Sequence, residues 1–182
     1  MENGVLIAYA SKYGSTREVA EKIGEVVREE GMNADVRDVK TVKKMDGYRA
    51  VILGGPVIMN KLRPAVVKLA EKHRKALQDI PVAYFTLGVT MKTDNLENRV
   101  QATKYMEPLC EIREPVSLGL FAGKVDYASI GPLFRWSFQK DTSGMLNEGD
   151  FRDWNVIEQW ARNLTQMLPV KGIKSKVAGT AR

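Results

Sequence analysis

Short, almost wholly apolar runs alternate along this chain with amphipathic stretches of helical period, and that alternation leaves few architectures open. Gly4-Val5-Leu6-Ile7-Ala8-Tyr9 carries no charged side chain, as a strand buried on both faces of a parallel sheet requires. From Ser15 onward Val19, Ala20, Ile23, Val26 and Val27 recur at helical spacing, with charged residues between them, until Gly31 closes the segment. The pattern then repeats. Strands are expected over Ala34 to Val39, Ala50 to Leu53, Pro81 to Thr86 and Val116 to Leu120. Helices are expected from Pro64 to about Leu77, Asn95 to Cys110, and Trp154 to Met167 with Asp153 as N-cap.

Strands and helices in this order, on short links, predict an α/β fold: a doubly wound, five-stranded parallel sheet of order 2-1-3-4-5 with right-handed crossovers. The 182 residues suit one such domain over 1–169, followed by a basic, flexible tail at 170–182. Residues 121–152 break the alternation. Phe121, Tyr127, Phe134, Trp136, Phe138 and Phe151 lie there among Lys124, Arg135, Lys140 and Arg152 without a clear period. The expectation is an aromatic and basic insertion before the last helix, on the ligand side of the sheet.

Charge and rare residues narrow the chemistry. The net charge of +6 is concentrated in the tail: without Lys171, Lys174, Lys176 and Arg182 the body keeps 24 basic against 22 acidic side chains. A body so nearly balanced is no nucleic-acid binder. One cysteine, Cys110, and one histidine, His73, assemble neither a disulfide nor a zinc site, so no metal is expected. His73 sits in Glu71-Lys72-His73-Arg74-Lys75 and reads as a solvated helix face, which leaves a hydrolytic triad without its base. No apolar run approaches the roughly 20 residues of a membrane span, and the start Met1-Glu2-Asn3-Gly4 has no signal-peptide pattern. The expected location is the cytoplasm, with peripheral contact at the inner face of the membrane left open.

Ligands of such sheets sit beyond the carboxyl ends of the strands. The loop after the first strand reads Ala10-Ser11-Lys12-Tyr13-Gly14-Ser15-Thr16 and runs straight into a helix, where free N–H groups and hydroxyls suit a phosphate. It is neither a dinucleotide fingerprint nor a nucleotide P-loop. After the third strand, Gly54-Gly55-Pro56-Val57-Ile58-Met59-Asn60-Lys61 offers two glycines, read as room for a flat ligand, and apolar faces for an aromatic ring system. Acidic residues at the ends of the first and third strands, needed by a response regulator, are replaced by Ala10 and Gly54. Leu87-Gly88-Val89-Thr90 follows the fourth strand.

Taken together, Tyr9 to Glu18, Gly54 to Met59 and the third glycine loop resemble a flavodoxin-type FMN domain. Gly123 to Tyr127, Gly149 to Trp154 and Trp160-Ala161 are similar to its menaquinone-dependent protoporphyrinogen IX dehydrogenase branch, a heme-biosynthesis group, and the likeness spans residues 4 to about 168. The resemblance implies that Ser11, Lys12, Tyr13, Gly14, Ser15 and Thr16 receive the FMN phosphate. It places Pro56, Val57, Ile58, Met59 and Asn60 on one side of the isoalloxazine and Leu87, Gly88, Val89 and Thr90 on the other. Asn60, tolerant of positive φ, and the Met59 carbonyl become the neighbours of flavin N5. Ile58 and Met59 depart from the branch, which often has tyrosine there.

The implied activity is FMN-dependent oxidoreduction, moving hydride or electrons between a protoporphyrinogen-like substrate and a quinone or similar acceptor. Lys124, Tyr127, Phe134, Arg135 and Trp136 would meet that substrate, with Arg135 and Lys124 facing carboxylates. Lys12, Lys61, Arg63 and Lys92 beside the loops favour a flavin of higher potential than a carrier's. Two other classes stay open: a soluble flavodoxin-type carrier docking to a protein acceptor, and a non-catalytic α/β interaction module. A homodimer closed by the insertion's aromatic residues is an equal alternative to substrate binding.

Overall fold

The computed structural model describes residues 4–129 and 146–168. Its main sheet is built from β1 (Val5–Tyr9), β2 (Ala34–Asp38), β3 (Ala50–Ile58), β5 (Val82–Gly88) and β6 (Ser117–Ala122), with β4 (Lys61–Leu62) a short addition to the end of β3. All neighbours on the path β2-β1-β3-β5-β6 are parallel. This is the expected order 2-1-3-4-5, with β5 and β6 as the fourth and fifth parallel strands. Helices α1 (Ser15–Glu29), α2 (Pro64–Lys72), α3 (Arg74–Gln78), α4 (Leu96–Lys104), α5 (Glu107–Cys110) and α6 (Trp154–Met167) make the connections and the final crossover.

The apolar runs are explained by two cores. Along β1, Val5, Ile7 and Tyr9 point into one cluster while Leu6, Ala8 and Ala10 point into the other. The two-residue period of a strand therefore feeds both faces, and neither position tolerates a polar side chain. The first cluster carries α1 and α6 through Val19, Ile23, Val27, Ile157, Ala161 and Leu164. The second carries α2, α3 and α5 through Val66, Leu69, Leu77 and Leu109. At about 1.5–3 kcal/mol for each fully buried large aliphatic side chain, these two layers supply the main favourable term for folding.

The helices depart from expectation in the second layer. The stretch from Pro64 breaks at His73, whose φ of −109° and ψ of 20° separate α2 from α3. His73 is half-buried, not a solvated face, and its Nε2 is shielded with no hydrogen-bond partner. Burial pushes its pKa below the ordinary value, and neighbouring Lys72 adds to that. The stretch to Cys110 breaks between Lys104 and Glu107. Pro108 has no N–H to give the Lys104 carbonyl, so one continuous helix is excluded and α5 restarts with Pro108 in its first turn. The last helix is as expected: Asp153 accepts the Val156 N–H at 3.1 Å.

Beyond β6 the chain turns at Gly123 into β7 (Lys124–Val125), which pairs antiparallel with β8 (Gly149–Asp150). The pair lies just past the carboxyl end of β6, and Phe151 N–H donates to the Gly123 carbonyl at 3.2 Å.

Candidate functional site

Register places the three candidate loops side by side. Tyr9 pairs with Gly54, and Pro56 with Leu87, so the chain leaves β1, β3 and β5 at one edge. Ala10 N–H donates to the Gly54 carbonyl at 2.9 Å, tying the first loop to the second.

The first loop ends in a helix start with no side-chain cap. Gly14 occupies the N-cap with φ of 90°, a backbone shape that suits glycine, and its N–H donates to Ser11 Oγ at 3.1 Å. The Glu18 N–H already reaches the Gly14 carbonyl at 3.1 Å, which leaves the preceding N–H groups of the first turn uncommitted within the helix. Ser15 Oγ is shielded from solvent and has no hydrogen-bond partner, while Thr16 is 2% exposed. Lys12 is exposed, its ammonium 4.8 Å from the centre of the half-buried Tyr13 ring. Uncommitted donors, a positive-φ glycine and an unpaired shielded hydroxyl together have the chemistry of an anion cradle.

In the second loop β3 runs on through Ile58 and returns as β4, so Pro56, Val57 and Ile58 are strand residues. Met59 and Asn60 form the two-residue turn between the paired Ile58 and Lys61, with φ of 52° and 59°. Positive φ at both positions is what a tight hairpin asks for, and Asn60 is suited to it while Met59 is not. The Met59 side chain is 82% exposed. Asn60 Oδ1 accepts from the Tyr105 hydroxyl at 3.1 Å, which brings an aromatic side chain to this turn from the end of α4.

Gly54 and Gly55 do not provide room for a ligand. A Cβ on Gly54 would lie 2.1 Å from the Phe85 ring, and one on Gly55 would lie 2.7 Å from Val66 Cγ2. Core packing on either face of the sheet accounts for both glycines, and Thr86 Oγ1 donates to the Gly55 carbonyl at 2.8 Å. In the third loop, Leu87 is likewise a core residue at 3% exposure, so only its backbone is offered at the strand end. Gly88 ends β5, and half-buried Val89 and Thr90 begin a 3₁₀ turn that closes at Lys92.

Lys124 and Tyr127 stand at the base of the β7–β8 pair. Lys124 lies opposite Asp150 and 3.9 Å from Asp126, and Tyr127 spans to the returning strand, its N–H donating to Glu148 Oε1 at 3.0 Å and its hydroxyl to the Leu146 carbonyl at 2.9 Å. Phe134, Arg135 and Trp136 lie outside the described residues.

Two site features escaped the sequence reading. Lys92 places its ammonium 3.7 Å from the centre of the Phe151 ring and 3.4 Å from the Asn147 carbonyl, joining the third loop to the returning segment. Arg152, its side chain only 3% exposed, donates to both Asp150 oxygens at 2.8 and 2.5 Å and to Glu18 Oε2 at 2.8 Å. It also lies 3.4 Å from the Ser15 carbonyl and 4.5 Å from the centre of the Trp154 ring. Its hydrogen bond holds the Asp150 carboxyl below its ordinary range, although partial burial pulls the other way. The signal was present in Asp150-Phe151-Arg152: residues two apart in extended chain share a face, and an acid and a base so placed seek one another.

Among the described residues no group of three or more His, Cys, Asp or Glu side chains is placed to hold a metal, and no helix is long and apolar enough to cross a membrane.

Residues 6–143 match the family model described as a flavodoxin domain. The chain belongs to the flavodoxin domain family. Among its relatives, protoporphyrinogen IX dehydrogenase [quinone] of Escherichia coli strain K12 is 22% identical over 176 residues, spanning 89% of this chain and 94% of that protein. A flavodoxin from the domain Archaea superposes with a TM-score of 0.54 at 14% identity, covering 90% of this chain and 97% of its own. A Fusobacterium nucleatum flavodoxin, solved bound to flavin mononucleotide, gives 0.56 at 12% identity over 91% and 99% of the two chains. These superpositions establish the flavodoxin-like fold.

Proposed function

We propose that this flavodoxin-domain protein is an FMN-dependent oxidoreductase, passing hydride or electrons between a reduced, protoporphyrinogen-type substrate and a quinone or similar acceptor. The observation that carries the cofactor is the uncapped amino end of α1, with its uncommitted N–H groups, its φ-positive Gly14 and the unpaired hydroxyl of Ser15. Membership of the flavodoxin domain family and the FMN-bound Fusobacterium flavodoxin support FMN as the occupant. The Escherichia coli dehydrogenase supports a dehydrogenase role.

FMN, when bound, would supply the redox chemistry. The chain's part is to bind, orient and set the electrostatics. Ser11, Tyr13, Gly14, Ser15 and Thr16 would hold the phosphate, with the Ser15 hydroxyl and the uncommitted first-turn N–H groups as donors and the Lys12 ammonium beside them. Pro56, Val57 and Ile58 on one strand end, and Gly88, Val89 and Thr90 on the other, keep water from the faces of the ring. The Met59–Asn60 turn would offer the Met59 carbonyl to flavin N5, and Tyr105 steadies the turn by donating to the Asn60 side chain. Lys12, Lys61, Arg63 and Lys92 surround the loops with positive charge, which raises the flavin's potential above that of a carrier. Lys124 and Tyr127, with Phe134, Arg135 and Trp136, receive the substrate.

The first test is the visible spectrum of the purified protein, followed by release and identification of the chromophore. Calorimetric titration then compares FMN binding to the unmodified chain and to Gly14→Asp, in which binding should be lost. Anaerobic turnover of protoporphyrinogen with a menaquinone analogue identifies the dehydrogenase. A flavoprotein that does not turn over and has a low potential favours the carrier reading, and a chain indifferent to FMN favours the interaction module.

A further inference from the structure

Glu18 places a negative charge beside an anion cradle. It lies in the first turn of α1, and a Cβ on Gly14 would be 3.8 Å from its Oε1, so its carboxylate borders the Ser11–Thr16 loop. Negative charge there opposes the attraction that the amino end of α1 exerts on a phosphate. Arg152 answers it directly. Its side chain is 3% exposed, and its guanidinium donates to Glu18 at 2.8 Å and to both Asp150 oxygens and rests over Trp154. Its Nη1 is also 3.4 Å from the Ser15 carbonyl, within the first turn itself. The Arg152 side chain is 3% exposed while the Glu18 carboxylate it holds is 46% exposed, so the cation is fixed in place and the pair is partly screened by salt.

We infer that Arg152 is a positioning residue for the phosphate loop: by neutralising Glu18 and holding its carboxylate against β8, it makes the Ser11–Thr16 cradle selective for a flavin carrying a dianionic phosphate over the same flavin without one. The inference rests on the FMN reading above. With Arg152 in place, Glu18, Asp150 and Arg152 sum to one negative charge beside the loop. Without it they sum to two, with Glu18 released from its tether.

The test compares FMN with riboflavin, which has the same ring and no phosphate, by quenching of flavin fluorescence on binding. The unmodified chain is expected to prefer FMN. Arg152→Gln should weaken FMN binding by about tenfold or more and change riboflavin binding by less than about twofold. The double variant Glu18→Gln with Arg152→Gln removes the charge that Arg152 masks, and should recover most of the FMN affinity. A merely structural role for Arg152 predicts equal loss for both flavins and no recovery in the double variant; either result overturns the inference. Should Arg152→Gln lose its cooperative melting transition, Arg152→Lys carries the test. It keeps the charge and should keep the FMN preference, and loss of that preference overturns the inference. Unmodified protein that binds neither flavin overturns the FMN reading and this inference with it, whereas FMN binding that is indifferent to Arg152 overturns this inference alone.

Discussion

Gly54 and Phe85 face each other across paired strands with no space between them: a Cβ on Gly54 would lie 2.1 Å from Phe85 Cε1 and Cζ. Backbone on one side and a fully buried ring on the other leave nothing flexible to give way. Gly54→Ala should therefore lower stability by about 3 kcal/mol, at the upper end of overpacking effects. Adding Phe85→Leu, which removes the clashing ring atoms, should return part of the loss. Urea midpoints of the two single variants and the double variant measure both effects.

Met59 occupies a left-handed turn position, with φ of 52°, that costs a residue with an ordinary side chain about 1–2 kcal/mol. Asparagine adopts this shape more readily, and Met59 is largely exposed, so little packing is lost on replacement. Met59→Asn should raise the stability of the flavin-free protein by about 0.5–1 kcal/mol. The thermal transition followed by circular dichroism tests this, and a lowered Tm contradicts it.

Ser15 Oγ is shielded and unpaired, which is a cost to the protein on its own and an asset to one holding a phosphate. Ser15→Ala should stabilise the flavin-free chain by about 1 kcal/mol and weaken FMN binding by about tenfold. Melting and titration must move in opposite directions. If both fall, the hydroxyl has a structural role instead.

The Tyr84 hydroxyl sits between two carbonyls, 2.8 Å from that of Arg113 and 3.2 Å from that of Leu109, in a fully buried position. Burial, helped by Cys110, raises its pKa well above a free phenol's, so it stays protonated wherever the protein is folded. Tyr84→Phe removes the hydroxyl donor from the Arg113 carbonyl, while the Leu109 carbonyl keeps the Ile112 and Arg113 N–H groups, and should cost about 1–2 kcal/mol in denaturant titration at any pH where the wild type is folded.

Asp150 contributes to the pH dependence, as do Asp35 and Asp126, whose carboxyls are also held below their ordinary value. The Arg152 hydrogen bond lowers the folded-state pKa of Asp150 below the ordinary 3.8, although desolvation opposes this. A depressed carboxylate contributes stability that is fully present above its unfolded value and is lost as pH falls through the folded value. Between neutral pH and about 4.5 this contribution should be flat, and below about 3.8 it should fall. Asp150→Asn should flatten the acid limb of the Tm-against-pH curve, and an unchanged limb would show that Arg152 does not hold the carboxylate.

The parts of the fold that one chain segment decides were legible in the residues. β1 reads as buried because each face meets its own core, and Asp153 reads as a cap because a single side chain and a single N–H define it. Pro108 was also readable as a helix break, since its missing donor is a local fact, but the surrounding helical pattern obscured it. The glycines after Leu53 were misread because the same absence of a side chain serves a nearby ligand or a nearby ring, and only the position of Phe85 decides between them. Of the site, the loop at Ser11 to Thr16 was visible because its donors are consecutive. Arg152 was not, because its meaning depends on Glu18, 134 positions away along the chain.

That separation has a consequence for biosynthesis. The loop and the first turn of α1 emerge early from the ribosome, but the cation that offsets Glu18 is added only at residue 152, and the helix packed against α1 follows it. A nascent chain can form the loop's backbone shape long before its charge balance is complete. A stalled product shorter than about 152 residues would carry the loop without the counter-charge beside it.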